Sequence, residues 1–110
     1  MGNSLVMDDP NHARFDLMVD DTLVGILAYE VVPSTDCVIL QHTVVKEAFG
    51  DRGWAAVLIR GALDIVRTGN LTVWPACTYV RAFIASNIDY LDLVADQDPA
   101  MSASCTTTGA

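Results

Sequence analysis

Residues 37–75 read CVILQHTVVKEAFGDRGWAAVLIRGALDIVRTGNLTVWP, and their periodicity decides the fold. Cys37 to Val45 is a nearly continuous apolar run interrupted only by Gln41, His42 and Thr43, as expected of a central strand covered on both faces. After Gly50 the period changes. Ala55, Leu58, Ile59, Ala62, Leu63 and Val66 recur at three- and four-residue steps, so Gly53 to Thr68 is an amphipathic helix with Gly69 as its C-terminal cap. Leu71 to Trp74 follows as a short strand stopped by Pro75. A strand, a helix of this length and another strand form a crossover unit, which is parallel and right-handed.

Upstream, Phe15, Leu17 and Val19 alternate with Arg14, Asp16 and Met18, the pattern of a half-buried strand over Ala13–Val19. Thr22 to Val32 is rich in β-branched and aromatic residues, so the two runs make a hairpin. Asp20-Asp21 is a poorer tight-turn pair than Asp-Gly, which predicts a slightly looser connection. Pro33 to Asp36 is a loop by composition, and residues 1–12 read as a polar lead-in. Thr78 to Ala85 is a second, shorter helix and Asp89 to Val94 one more turn. Beyond Val94 the composition falls to small and polar residues, so residues 95–110 read as a flexible tail after a single domain spanning 1–94. The predicted architecture is α/β (α+β), ordered β-β-β-α-β-α: an antiparallel meander joined to one parallel crossover.

The chain has 110 residues, enough for one domain, and 52% of them are hydrophobic, far too apolar for a disordered chain. Six Lys and Arg against fourteen Asp and Glu give a net charge of -8. No basic stripe exists to neutralise phosphates, which excludes a general nucleic-acid binder, and an anionic membrane surface would repel the chain. The acidic shell suits a cationic partner such as an amine or a Lys-rich peptide. No run approaches the ~20 apolar residues of a membrane span. The start of the sequence carries no basic and apolar signal pattern, and Cys37, Cys77 and Cys105 are too few and too widely spaced for a disulfide framework. A reducing cytoplasm is the expected setting. With two histidines and no CxxC, no structural zinc site is expected.

In open α/β sheets ligands sit at the carboxyl ends of parallel strands, against a helix N-terminus. Two distant segments converge there: Val44 to Ala55 and Pro75 to Tyr79. Gly50-Asp51-Arg52-Gly53-Trp54-Ala55 opens the long helix, and its glycines, free first-turn amides and Arg52 cation suit a phosphate. Gly-rich strand-to-helix turns are common, and from the residues alone a plain turn capped by Asp51 is the simpler reading. Cys77, near the start of the second helix, is either a reactive thiol of lowered pKa or a small buried hydrophobe. His42 is either a base or a satisfied core imidazole. Tyr79 and Tyr90 are available acids, though tyrosine in a core helix is ordinary.

The series His42-Thr43-x-Val45, Phe49-x-x-Arg52-Gly53-x-Ala55 and Leu58-Ile59-Arg60-x-Ala62-Leu63-Asp64 resembles the small GCN5-related N-acetyltransferase-like (GNAT) proteins of the YjdJ type. So do Val73-x-Pro75-x-Cys77-x-Tyr79-Val80, Asp89-Tyr90-x-Asp92-Leu93-Val94 and, upstream, Asn11-x-Ala13-Arg14-Phe15 and Gly25-x-x-x-Tyr29. The resemblance implies a minimal GNAT fold and an acetyl-coenzyme A-dependent N-acetyltransferase, moving an acetyl group to an amine on a small molecule or protein. It implies a pantetheine arm along Thr43, Val44 and Val45 and a pyrophosphate on the amides of Gly50, Asp51, Arg52, Gly53, Trp54 and Ala55. His42 as base and Cys77 as a thiol neighbour or transient acceptor are the catalytic candidates it implies. Gly53 and Ala55 occupy the last two defined positions of the family's Q/R-x-x-G-x-G/A signature, while Gly50 stands where it has Gln or Arg. Asp51 stands where this subfamily often has Gly, and a carboxylate ~5 Å from a diphosphate opposes it by a few kcal/mol at an effective dielectric near ~20. Thr78 replaces a usual Pro, and Asn87-Ile88 a usual His-Pro. The alternative reading is a coenzyme A-binding or protein-interaction module on a GNAT scaffold that has lost transfer chemistry.

Overall fold

The computed structural model describes residues 3–33, 35–50 and 52–95. Strands β1 (Ser4–Asp9), β2 (Arg14–Val19), β3 (Thr22–Val31) and β4 (Cys37–Val45) lead through a 3-10 turn (Glu47–Phe49) into helix α1 (Trp54–Thr68). Strand β5 (Thr72–Pro75), helix α2 (Thr78–Ser86) and a 3-10 segment (Ile88–Leu93) complete the order. The five strands form one sheet in sequence order, antiparallel except for the parallel pair β4–β5.

The apolar stripe of α1, Leu58, Ile59, Ala62, Leu63 and Val66, is buried against Phe15, Leu17, Leu27 and Leu40 of the sheet. Val80, Phe83 and Ile84 of α2 join the same core. Each large side chain so buried contributes about 1.5–3 kcal/mol, enough to fix both helices on one face. The opposite, outer face carries cross-strand rows with no helix over them among the described residues: Met7–Asp16–Ile26–Val44, Arg14–Ala28–His42 and Glu30–Ile39–Trp74.

Residues 4–9 depart from the reading of a polar lead-in, because they form an edge strand paired along its length with β2. Val6 packs so closely on Gly61 that a Cβ at residue 61 would collide with its Cγ2. Leu5 and Met7 face outward and stay exposed, so the segment shows little of the alternation that marks a half-buried strand. The connection after Val19 is tighter than predicted. Val19 pairs directly with Thr22, and Asp20 and Asp21 both adopt positive φ (49° and 67°), the conformation of a two-residue type I′ turn. Helix α1 begins at Trp54, with Gly53 as its N-cap, and Pro75 is the last residue of β5. Ala95 is tied to β5 through its N–H to the Val73 carbonyl (2.9 Å), so it belongs to the sheet edge. The remainder of the proposed tail, residues 96–110 with Cys105, lies outside the described residues.

The 3-10 segment is held onto α1 by polar contacts. Arg67 makes a bidentate pair with Asp92 (3.0 Å each), and the Tyr90 hydroxyl donates to Asp64 (2.8 Å). The Arg67 guanidinium holds the Asp92 carboxyl below the usual carboxylate range.

Candidate functional site

Strands β4 and β5 pair from Cys37↔Thr72 to Leu40↔Pro75 and then part. The last link between them is the Cys77 N–H donating to the Leu40 carbonyl (2.9 Å). Beyond that point β4 continues to Val45 with β3 on one side and, among the described residues, no strand on the other. Proline at the end of β5 favours this parting, since it offers no N–H to extend the ladder. A cleft of about 480 Å³ opens there. Thr43, Val44 and Val45 supply its β4 wall, Phe49 and Gly50 the following turn, Gly53, Trp54 and Ala55 the start of α1, and Tyr79 the first turn of α2.

The floor of this cleft has anion-binding character. Gly53 adopts a left-handed φ of 78°, and a Cβ there would meet nothing within 4 Å. As N-cap it has no side-chain oxygen to satisfy the first-turn amides of α1, whose first residues, Trp54 and Ala55, line the cleft at the positive end of the helix dipole. The plain-turn reading in which Asp51 caps the helix is not what forms: the cap is Gly53. Asp51 itself lies outside the described residues. Arg52 is exposed beside the cleft without lining it.

Cys77 is the N-cap of α2 and only 7% exposed. Its sulfur lies 3.3 Å from the Thr43 hydroxyl. Burial pushes the thiol up, but the Thr43 hydroxyl and the amides of Val80, Tyr79 and Thr43 outweigh it and hold the pKa below the ordinary thiol value. Cys77 is thus a buried thiol whose pKa is lowered by its hydrogen-bond partners.

His42 is not the core imidazole that its apolar strand suggested. A bulge in the β3–β4 ladder inserts Gln41, with Ala28 opposite His42 and Tyr29 opposite Leu40. Counted in twos from Leu40, His42 would face the helices; the extra residue turns it to the outer face, where it is exposed, and turns Thr43 inward to Cys77. His42 and Cys77 thus stand on opposite faces of β4. Gln41 donates to Glu30 on the outer face (3.2 Å).

Seven of the nine positions anticipated for coenzyme binding, Thr43, Val44, Val45, Gly50, Gly53, Trp54 and Ala55, line one cleft. Phe49 and Tyr79 complete it; both lie in the two converging segments, although neither was assigned a part in coenzyme binding. For Tyr79 the available signal was its place two residues after Cys77; it is 62% exposed, not a core tyrosine. Tyr90 is buried and spends its hydroxyl on Asp64.

Residues 14–93 match the family model described as GCN5-related N-acetyl-transferase. The chain belongs to the GNAT family. Among curated relatives it is 39% identical over 63 residues to Protein NATD1 of Bos taurus, covering 57% of this chain and 55% of that protein. To Protein NATD1 of Xenopus tropicalis it is 37% identical over 63 residues, 57% of each. The chain thus spans little more than half the length of these relatives. A GCN5-like candidate N-acetyltransferase of Staphylococcus aureus, solved in solution, superposes with a TM-score of 0.63 at 17% identity, covering 90% of this chain and 95% of that one. That likeness establishes the GNAT-like α+β fold. No helix among the described residues is long and apolar enough to cross a membrane.

Proposed function

We propose that this GNAT-family chain is an N-acetyltransferase that takes its acetyl group from acetyl-coenzyme A, bound in the cleft where β4 and β5 part. The observation that carries the reading is the cleft itself, in which a stretch of β4 paired on its β3 side alone, among the described residues, meets a helix N-terminus that has an αL glycine and no side-chain cap. These features fit the two ends of the ligand. An amide-bearing pantetheine arm can hydrogen-bond to open strand backbone at Thr43 to Val45, and a diphosphate can accept from the first amides of α1. Arg52 adds a cation at the rim.

In the proposed reaction the acceptor's neutral amine attacks the thioester carbonyl, the C–S bond breaks, and coenzyme A leaves as thiolate. The amine gives up a proton to a base and the thiolate takes one from an acid. A backbone amide of β4 polarises the carbonyl. His42 is the base in this scheme, reached by an acceptor that approaches from the outer face. Tyr79, exposed at the mouth of the cleft, is placed to return a proton to the leaving thiolate. Cys77 stands beside Thr43 as the thiol neighbour. The acidic surface favours a cationic acceptor, a small amine or a protein lysine.

The test is coenzyme A release from acetyl-coenzyme A with a panel of amines and Lys-rich peptides. Acceptor-dependent release that falls at least tenfold in His42→Ala supports the scheme. Release unchanged in His42→Ala, Tyr79→Phe and Cys77→Ala alike contradicts the assignment of the chemistry. Tight coenzyme binding with no release for any acceptor supports the alternative, a binding module on a GNAT scaffold.

A further inference from the structure

The sheet has two edges, and the fold treats them differently. The β5 edge is covered by chain, through a bridge between Val73 and Val94 and the Ala95 N–H bonded to the Val73 carbonyl. The β1 edge is open: β1 pairs only with β2 among the described residues. Soluble proteins usually blunt an open edge with Lys, Pro, a bulge or a very short strand. Strand β1 is six residues long, Ser4-Leu5-Val6-Met7-Asp8-Asp9, pairs with β2 in unbroken register and has neither Lys nor Pro. Its outward side chains Leu5 and Met7 are 57% and 42% exposed.

We propose that this edge is a dimer seam, on which a second copy of the chain adds its own β1 antiparallel across a two-fold axis. The register follows from the ladder already present. The Asn3 carbonyl accepts from the Asp20 N–H (3.1 Å), so Asn3 points toward β2. Backbone direction alternates along an antiparallel strand, which sends the N–H and C=O of Ser4, Val6 and Asp8 outward. Only one two-fold register matches all three outward residues. It sets Val6 opposite Val6 on the axis and Ser4 opposite Asp8 on either side, for about six backbone hydrogen bonds. Shifting by two residues either way loses a matched pair.

Side chains agree with that register. Leu5 of one copy falls opposite Met7 of the other in the close, non-hydrogen-bonded positions, so the two exposed apolar side chains cover each other. The carboxylates lie at one end of the strand, and antiparallel pairing sends that end to the neutral end of the other copy. Asp8 meets a Ser4 hydroxyl and Asp9 meets Asn3, so no two carboxylates face each other despite a net charge of -8 per chain. The seam is isologous and closes as a dimer, joining two five-stranded sheets into one.

Sedimentation equilibrium of the full chain over micromolar to hundred-micromolar concentrations tests this. A two-chain mass is expected. Leu5→Lys/Met7→Lys and Leu5→Glu/Met7→Glu should each sediment as one chain, and mixing them should restore the two-chain mass, since Lys then falls opposite Glu. Ser4→Pro is a second, backbone variant. It removes an outward N–H without touching the β1–β2 ladder and should weaken dimerisation at least tenfold with an unchanged circular dichroism spectrum. A one-chain mass for the unmodified protein overturns the proposal, and so does a two-chain mass that survives both the Lys pair and Ser4→Pro.

Discussion

Thr43 is the residue on which the inner side of the site turns. Its hydroxyl, 3.3 Å from the Cys77 sulfur, joins the α2 amides in offsetting the burial that pushes the thiol pKa up. The rate of iodoacetamide alkylation at Cys77, followed against pH by mass spectrometry, should rise with an inflection below that of an ordinary cysteine. Thr43→Val should move the inflection upward; an inflection that stays put would mean that the amides alone set it. Tyr29 is a second residue with a defined pH consequence. Its hydroxyl donates to Asp8 (2.6 Å), and burial first, then the bond and charge of Asp8, raise its pKa far above the ordinary value. A raised pKa makes this stabilisation complete below pH ~10 and lost progressively above it, as the unfolded tyrosine ionises first. Tyr29→Phe should cost about 1 kcal/mol at neutral pH in urea unfolding and flatten the alkaline fall in stability. An equally steep fall in the variant would place its origin elsewhere.

At the scale of elements, the hairpin turns and the β1–α1 contact carry the sharpest expectations. Ala13, Asp20 and Asp21 hold positive φ without being glycine. Asp21→Gly supplies the residue that a type I′ turn favours and should stabilise by about 0.5–1 kcal/mol, as should Ala13→Gly, read as a higher urea midpoint. A lowered midpoint would show that the replaced side chain contributes more than its backbone costs. Gly61→Val drives a side chain into Val6 and should cost about 1–3 kcal/mol, partly recovered by Val6→Ala. Hydrogen exchange should show the loss concentrated in β1; uniform loss across the sheet would mean that β1 unfolds only with the whole.

The same elements show what the sequence made legible. The bounds of β4 and the body of α1 were readable because a long apolar run and a sustained helical period leave few alternatives. Strand β1 was not, because an edge strand whose apolar residues are exposed but for a half-buried Val6 lacks the two-fold signature. The facing of His42 was not, because a single bulged residue, Gln41, reverses the parity of everything after it and leaves no mark in composition. The converging segments at the end of β4, Phe49 and Tyr79 among them, were readable from the crossover alone, whereas which of their side chains line the cleft depends on how the strands part.

At the scale of the whole molecule, both helices pack on one face of the sheet, which leaves a cleft where the parallel pair parts and, among the described residues, an outer face with no helix over it. A chain of net charge -8 holding an anionic ligand must do so through local groups, the α1 amides and Arg52, against its own long-range field. The most direct measurement is calorimetric titration of acetyl-coenzyme A into the purified chain and into the Arg52→Ala/Gly53→Asp double variant. Binding in the micromolar range that weakens at least tenfold in the variant is the expected result. No heat at millimolar ligand, or equal affinity for both chains, would contradict a coenzyme site at the start of α1.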